Sequence, residues 1–194
     1  MRSTLAIAIR YTLVTTVLLG LVYPLVITGI AQLTMRNKAD GQLIIRNGQV
    51  IGSEIIGQSF TSDQYFHGRP SAAGNGYDAA NSGGSNLAES NSALLDRVNA
   101  AVAAYQKQNP GKPVPVDLVT TSASGLDPDI SPEAALFQVP RVAKARNMTE
   151  DSVRELVDEH TEGRLMSVLG EPRVNVLELN LALDRASADQ GGRR

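Results

Sequence analysis

The segment Tyr11–Met35, YTLVTTVLLGLVYPLVITGIAQLTM, constrains the fold most strongly, because its 25 residues include no charged side chain. A helix needs about 20 mostly apolar residues to cross the hydrocarbon core of a bilayer. Its apolar core is longer than that of a cleaved signal peptide, and Leu33–Arg36 do not resemble a small-residue cleavage site. We therefore predict a retained transmembrane helix at 11–35, preceded by a short N-terminal arm at 1–10.

Small and polar residues recur along one side of this predicted span. Thr12, Thr16 and Gly20 are spaced four residues apart, so they share one helix face on which a second helix can approach closely. Pro24 has no N–H group and is expected to kink the span. The alternative is a simple lipid anchor that tolerates such residues at random. Because polar side chains at membrane depth usually face protein, we favour a packing face for a partner helix.

Charge separates the chain into two parts. Residues 40–194 hold 14 basic and 20 acidic side chains, whereas the four other basic residues flank the predicted span on both sides and give little orientation bias. An acidic domain argues against nucleic acid or anionic lipid as its partner. The absence of cysteine excludes a disulfide framework and thiolate chemistry. We expect the N-terminus inside the cell and the domain outside.

The region after the span is long enough to form one domain with its own core. Its signals predict a mixed α+β (α/β) domain at 42–185, joined by a linker at 36–41 and followed by a flexible tail at 186–194. Asn47-Gly48 lies between two apolar runs, and this dipeptide suits the positive φ angles of a type I′ turn. A β-hairpin is therefore predicted over 42–56.

Three helical segments are predicted from capping residues and apolar periodicity. The segment 91–108 begins at Asn91 and repeats apolar residues at helical spacing, which predicts one buried face. The segment 131–148 starts with Ser-Pro-Glu, and Pro140 is expected to divide it into two short helices. Thr149 is predicted to cap the next helix.

Two further segments give mixed signals. The segment 114–121, VPVDLVTT, has the composition of a strand at a sheet edge. The segment 173–185, RVNVLELNLALDR, alternates apolar and polar residues, but Asn175 with Glu178 three residues later resembles a helix capping pair. We choose a helix for 173–185 and keep a strand as the alternative.

The segment 57–90 is rich in glycine, serine and asparagine, a composition that suggests a flexible linker. Its aromatic residues indicate otherwise, because disordered linkers are depleted in them. We interpret 57–90 as an ordered, packed loop with a role in binding a partner, since long loops in compact domains are usually functional. The predicted docking residues are Phe60, Tyr65, Phe66, His67, Arg69 and Tyr77.

Motifs for independent catalysis are absent from the sequence. It has no Walker A motif, nucleophile elbow or HExxH motif, and its two histidines lack the further soft ligands of a metal site. The run Ser82-Gly83-Gly84-Ser85 is the one candidate anion cradle, since successive glycine amides can form a nest for phosphate. We favour an ordinary turn as its explanation, because lone glycine pairs are common in turns. We expect no enzymatic activity of the chain alone, and neither a metal nor a tightly bound cofactor.

Three long motifs resemble one known family, the C subunit of the Kdp potassium-transporting P-type ATPase. They are YFHGRPSAAGNGYDAANSGGSNLAESN (65–91), SASGLDPDISPEAALFQVPRVAKARN (122–147) and VNVLELNLALD (174–184). The single N-terminal span also matches, so the resemblance covers nearly the whole chain. This sequence departs from the family pattern at Ala88-Glu89, at Ser92 and at Asn147, where the family usually has Gly-Pro, Pro and Gly.

The resemblance implies a function that composition alone does not give. It implies a non-catalytic subunit that assembles with a channel-like potassium-binding subunit, an ATP-hydrolysing P-type subunit and a small single-span subunit in a bacterial inner membrane. The complex would import potassium at high affinity. It also implies Ser82, Gly83, Gly84 and Ser85 as nucleotide-binding candidates, because the family stretch has been compared with an ABC signature loop. If this chain does not bind nucleotide itself, the resemblance implies that ATP is used only by the complex to which the chain belongs.

Overall fold

The computed structural model of the protein describes residues 2–191, which divide after Ile51 into two compact units. One apolar helical stretch is followed by a mixed α/β region, as predicted. The helices are α1 (Arg2–Val17), α2 (Tyr23–Thr34), α3 (Arg36–Ala39), α4 (Ser92–Gln108), α5 (Pro132–Arg146), α6 (Glu150–Glu159) and α7 (Val176–Gly191). The strands are β1 (Leu43–Arg46), β2 (Gln49–Ser53), β3 (Asp129–Ile130), β4 (Thr161–Glu162) and β5 (Arg173–Asn175).

The first unit begins with an apolar helical stretch, Ser3–Thr34, whose length and hydropathy make it a candidate membrane span. The helix starts at Arg2, so the described part of the predicted arm continues the same helix. A π-helical segment, Leu18–Val22, joins α1 to α2, and the N–H of Tyr23 donates to the carbonyl of Leu18. Pro24 follows directly and cannot donate to the carbonyl four residues back. The hydrogen-bond pattern therefore departs from α-helical immediately before Pro24.

A β-hairpin follows the helices, as the Asn-Gly signal predicts. The linker at 36–41 contains the single turn α3, and β1 and β2 then pair as a two-stranded sheet. Asn47 and Gly48 have φ angles of 53° and 76°, as a type I′ turn requires.

The second unit is built on a small antiparallel sheet with strand order β3–β5–β4. Val174 of the central strand lies opposite Ile130 of β3 and Thr161 of β4. α5 and α7 pack against this sheet, α6 packs against α5 and α7, and the three helices supply most of the apolar core. The buried core residues include Phe66, Leu118, Ile130, Ala134, Ala135, Phe137, Val139, Val142, Ala143, Val153, Val157, Val174, Val176, Leu179 and Leu183.

The helix predicted at 91–108 is confirmed, but its predicted buried face is wrong. The side chain of Asn91 accepts from the N–H of Ala93 at 2.9 Å, which is the expected cap. None of the 17 described residues of α4 is buried. The ring of Tyr105 packs edge-on against Phe137 with centroids 6.0 Å apart. α4 therefore lies on the surface, and its apolar residues are only partly covered.

The prediction that Pro140 divides the helix after Ser131 is also wrong. α5 is one continuous helix through Pro140, because buried residues on both sides, among them Val139 and Val142, hold it in the core. It ends at Asn147, which takes the left-handed conformation with φ 55° where the resembling family usually has glycine. The cap at Thr149 is confirmed, since its hydroxyl accepts from the N–H of Ser152.

The strand predicted at 114–121 is wrong, because this segment contains a 3₁₀ turn at Val116–Leu118. Proline lacks the N–H that a strand needs, and the carboxylate of Asp117 accepts instead from the N–H of Ser131 at 2.8 Å.

Both signals in 173–185 are realised in succession. β5 ends at Asn175, whose side chain accepts from the N–H of Glu178, and α7 then begins. The tail at 186–194 was predicted to be flexible, but α7 continues through Gly191. The last three residues lie outside the described part of the chain.

Candidate functional site

The loop 57–90 is fixed to the second unit by two buried amide side chains. The side chain of Asn180 accepts from the N–H of Phe66 at 2.8 Å and donates to its carbonyl at 3.0 Å. The side chain of Gln138 makes the same pair of bonds to the next residue, His67, at 2.8 and 3.0 Å. Both amides are 1% exposed. Each therefore satisfies both backbone groups of one buried or half-buried loop residue, as a neighbouring strand would.

Two arginines of α5 hold the residues just before this clamp. Arg146 donates to the carbonyl of Gln64 at 2.6 Å and to the carboxylate of Asp184 at 2.8 Å. Its guanidinium carbon lies 4.7 Å from the centre of the Tyr65 ring. Arg141 donates to the carbonyl of Asp63 at 2.7 Å. Their charged groups are thus used to order the loop, and burial lowers the pKa of Arg141.

The aromatic residues that the sequence assigned to partner docking mostly face the domain itself. Phe66 is completely buried in the core, so its side chain packs inside the domain and is not available as the predicted docking residue. The ring of Phe60 packs on that of Tyr65 with centroids 5.5 Å apart. The hydroxyl of Tyr77 donates to the carbonyl of Arg69 at 2.5 Å, and burial raises the pKa of Tyr77 to about 12.

The two polar residues of that set also have internal partners. The ring nitrogen Nε2 of His67 lies 3.1 Å from the carbonyl oxygen of Ser62. Burial and, secondarily, the charge of Arg141 lower the pKa of His67. Arg69 forms an ion pair with Asp127 at 3.1 Å, and its side chain also reaches Thr120. The His67 ring therefore braces the loop internally, whereas Arg69 ties the loop to another part of the domain.

The run Ser82-Gly83-Gly84-Ser85 does not have the geometry of an anion nest. The N–H of Gly83 donates to the carbonyl of Ser124 at 2.8 Å, so it does not point to a free ligand site. A nest requires a left-handed residue beside a right-handed one, but neither Gly83 nor Gly84 has a positive φ. A Cβ on Gly84 would lie 3.0 Å from the carbonyl oxygen of Ala123. Close approach of two backbone segments explains the glycine here.

A basic cleft lies elsewhere on the second unit. It has a volume of about 600 Å³ and is lined by Lys107, Lys144 and Arg141, together with Asp63 and three neutral residues. The Nε atom of Arg141 is buried and has no hydrogen-bond partner among the described residues. Because cations outnumber carboxylates here, the cleft suits a small anion better than a cation.

An exposed apolar tip, residues 164–169, was missed by the sequence analysis. Leu165, Met166, Val168 and Leu169 are between 61% and 83% exposed. Leu165 and Leu169 pair through two backbone hydrogen bonds of 2.8 and 3.0 Å, so the tip is a formed turn. The ion pair between Arg164 and Glu171, at 2.8 Å, neutralises its base. The signal was a short apolar run between Gly163 and Gly170 with neither strand nor helix period.

Together these features define a class of protein: one candidate membrane span followed by a mixed α/β domain whose long loop is braced internally. A family model described as "K+-transporting ATPase, c chain" matches residues 5–185. The chain is 61% identical to the potassium-transporting ATPase KdpC subunit of Koribacter versatilis, over 95% of each chain. It is 58% identical to that of Bradyrhizobium diazoefficiens, over 93% of this chain and 96% of the relative. The chain belongs to the family of c chains of K+-transporting ATPases.

Proposed function

We propose that this protein is a membrane-anchored, non-catalytic subunit of an ATP-driven potassium import complex. The observation that carries the proposal is the match of 181 consecutive residues, 5–185, to the c-chain family, which includes the candidate span. The charged groups of the loop region are consistent with it, since Arg69 is ion-paired with Asp127 and Arg146 with Asp184 in structural contacts. Catalysis would belong to the P-type subunit of the complex.

The proposed role is assembly and support of that complex in a bacterial inner membrane. The domain would lie outside the cytoplasm and cap the external mouth of the channel-like potassium-binding subunit. The small single-span subunit and the P-type subunit would complete the assembly. The influence of this chain on ATP use would then pass through the complex, because an external domain meets no cytosolic ATP.

The apolar tip is the surface best suited to that docking. Its four large apolar side chains are exposed in a formed turn, and such patches on soluble domains mark interaction sites. Its ion-paired base gives no net charge, and methionine adapts well to a partner's pocket. A neutral apolar projection of this kind fits a groove on another subunit of the same complex.

Affinity purification of the tagged full chain from membranes tests both parts of the proposal. The wild-type chain is expected to recover the other subunits together with potassium-stimulated ATP hydrolysis, whereas the purified chain alone hydrolyses no ATP. Replacing Met166 and Val168 with serine should reduce recovery of the subunits without unfolding the chain. A matched variant with serine at Ala103 and Ala104, two exposed positions of α4, should leave this recovery unchanged. Full recovery of the subunits with the tip variant would show that the tip is not part of the interface.

Nucleotide binding is a second candidate function, and the basic cleft is the observation that favours it. The cleft groups Lys107, Lys144 and Arg141, and it replaces the glycine run as the site where phosphates would bind. Titration of the full chain with ATP tests this directly. Binding that Lys107→Ala and Lys144→Ala together abolish would support it. The absence of binding at millimolar ATP would exclude nucleotide binding as a function of this chain.

A further inference from the structure

The β-hairpin after the candidate span exposes apolar side chains on one face. Leu43, Ile45 and Val50 are 47%, 63% and 57% exposed. Leu43 and Ile45 are two residues apart in β1, so they point to the same side. The two-residue turn places Val50 opposite Ile45, which adds Val50 to that side. The result is a continuous apolar face on a two-stranded sheet.

This face is held close to the end of the candidate span. β1 begins nine residues after Thr34, so even a fully extended linker would keep Leu43 within about 30 Å of the helix end. The linker is not extended. The side chain of Gln32 donates to Asp40 at 2.8 Å, and the N–H of Gln42 donates to the carbonyl of Asn37 at 2.9 Å. Helix end, linker and β1 therefore form one compact unit.

The charge of this part is opposite to that of the rest of the domain. Between the span and Ile51 the chain carries Arg36, Lys38 and Arg46 against the single acid Asp40. Residues 52–194 carry 13 basic and 19 acidic side chains. Basic residues beside an apolar face are the combination that binds the interface of an anionic bilayer.

We propose that the hairpin rests on the membrane surface, with Leu43, Ile45 and Val50 in the interfacial layer and the neighbouring basic residues among anionic phospholipid headgroups. This inference rests on the proposed function only in requiring that the helix be anchored in a bilayer. The apolar face and the charge of the segment select lipid as the occupant.

Site-directed labelling tests the proposal, because the chain has no cysteine of its own. Single-cysteine full-length chains with an environment-sensitive fluorophore at Ile45 or Val50 are inserted into vesicles of phosphatidylethanolamine and phosphatidylglycerol. Nitroxides attached to the lipids should quench both labels, and the less polar surroundings of the interfacial layer should shift the emission of both labels to the blue. Labels at Gln49, on the opposite hairpin face, and at Asn99, an exposed residue of α4, are the controls and should keep the emission they show in detergent.

A label at Leu19 separates failure of the anchor from failure of the inference. If nitroxides deep in the bilayer do not quench the Leu19 label, the anchor itself is absent and the proposed function fails. If they quench Leu19 but the Ile45 and Val50 labels are not quenched above the Asn99 level, the hairpin does not rest on lipid and the inference is overturned.

A charge variant tests the headgroup contact. The chain with Arg36→Gln and Lys38→Gln should lose quenching at Ile45, as should the wild-type chain in vesicles of phosphatidylcholine alone. Quenching that is unchanged in both would overturn the role of anionic lipid. In the assembled complex, protection of Ile45 from aqueous iodide without quenching by lipid would show a protein groove as the occupant instead, and would also overturn the proposal.

Discussion

Asn180 and Gln138 act at the scale of single residues, because each satisfies both backbone groups of a loop residue that has no strand beside it. Replacing Asn180 with alanine leaves the N–H and carbonyl of the buried Phe66 without partners. We expect the free energy of unfolding to fall by about 2–5 kcal/mol, from roughly 1–3 kcal/mol for each unsatisfied group. Urea denaturation of the full chain in detergent measures this. Gln106→Ala, at an exposed amide of α4, is the control and should change stability by less than about 0.5 kcal/mol.

Alanine substitutions at two glycines in and near the Ser-Gly-Gly-Ser run test whether these glycines serve backbone packing or nucleotide binding. Gly125 has φ 67°, and a Cβ there would lie 2.6 Å from both the Ala73 nitrogen and the Gly83 oxygen. Gly125→Ala should therefore destabilise the fold by about 2–4 kcal/mol, through left-handed strain and overpacking. Gly83→Ala should be nearly neutral, because no described atom lies within 4 Å of its added Cβ. Thermal or urea unfolding that ranked the two variants in the reverse order would contradict this account.

Protonation of His67 makes the stability of the fold depend on pH. Burial, followed by the charge of Arg141, lowers its pKa in the folded protein. In the unfolded chain the pKa of His67 stays at about 6.5. As the pH falls, the unfolded chain therefore binds this proton at a higher pH than the folded protein does. The folded state consequently loses stability below about pH 6.5. NMR titration of His160→Gln, which leaves one histidine ring, should give a pKa below about 6.5 for His67. The urea midpoint should fall more from pH 7 to pH 5 in the wild type than in His67→Gln. A pKa at or above the ordinary value would refute this link.

At the scale of elements, the candidate span carries the small-residue face that we expect to contact a partner helix. A Cβ on Gly20 would lie 3.9 Å from the Cγ2 atom of Thr16, so these two residues are surface neighbours in spite of the π-helical segment. Leucine at Thr12, Thr16 and Gly20 together should block close approach and reduce recovery of the other subunits with the tagged chain. Leucine at Val14 and Val17, outside this face, should leave recovery unchanged. Equal recovery of the other subunits with both variants would show that the span acts only as a lipid anchor.

The sequence predicted those elements whose signals are local. Asn47-Gly48 specified the hairpin turn, and Asn91 and Thr149 specified helix starts, because each acts on backbone groups within three residues. The clamps could not be predicted in this way, since Asn180 and Phe66 are 114 residues apart and their bonds depend on the folded core. For the same reason, Pro140 was expected to break a helix that the surrounding core maintains.

The candidate site shows the same limit more sharply. The aromatic content of the loop correctly indicated packing, but composition does not say whether an aromatic ring faces a partner or its own core. Phe66 faces the core. The apolar tip at 164–169 gave no periodic signal, because its exposure depends on how β4 and β5 place it. Glycines in the Ser-Gly-Gly-Ser run suggested phosphate, whereas the N–H of Gly83 donates to the carbonyl of Ser124 and close approach to the Ala123 backbone explains Gly84.

At the scale of the whole molecule, the side of the membrane decides between the two functions. A domain outside the cytoplasm can cap a channel-like subunit but meets no cytosolic ATP, whereas a domain inside can bind nucleotide directly. The charges that flank the candidate span are nearly balanced, so they do not dictate the orientation. The net negative charge of residues 52–194 would raise the local potassium concentration on whichever side the domain occupies.

The most direct test of the account is a topology reporter fused after Arg194 of the full chain and expressed with the other subunits of the complex. Alkaline phosphatase is active only outside the cytoplasm, and a fluorescent protein that folds only inside serves as the paired reporter. We predict an active phosphatase fusion and a dark fluorescent fusion, with the complex still assembled. A fluorescent fusion with inactive phosphatase would place the domain inside the cell, and it would contradict the proposal that the domain caps the external mouth of the potassium channel.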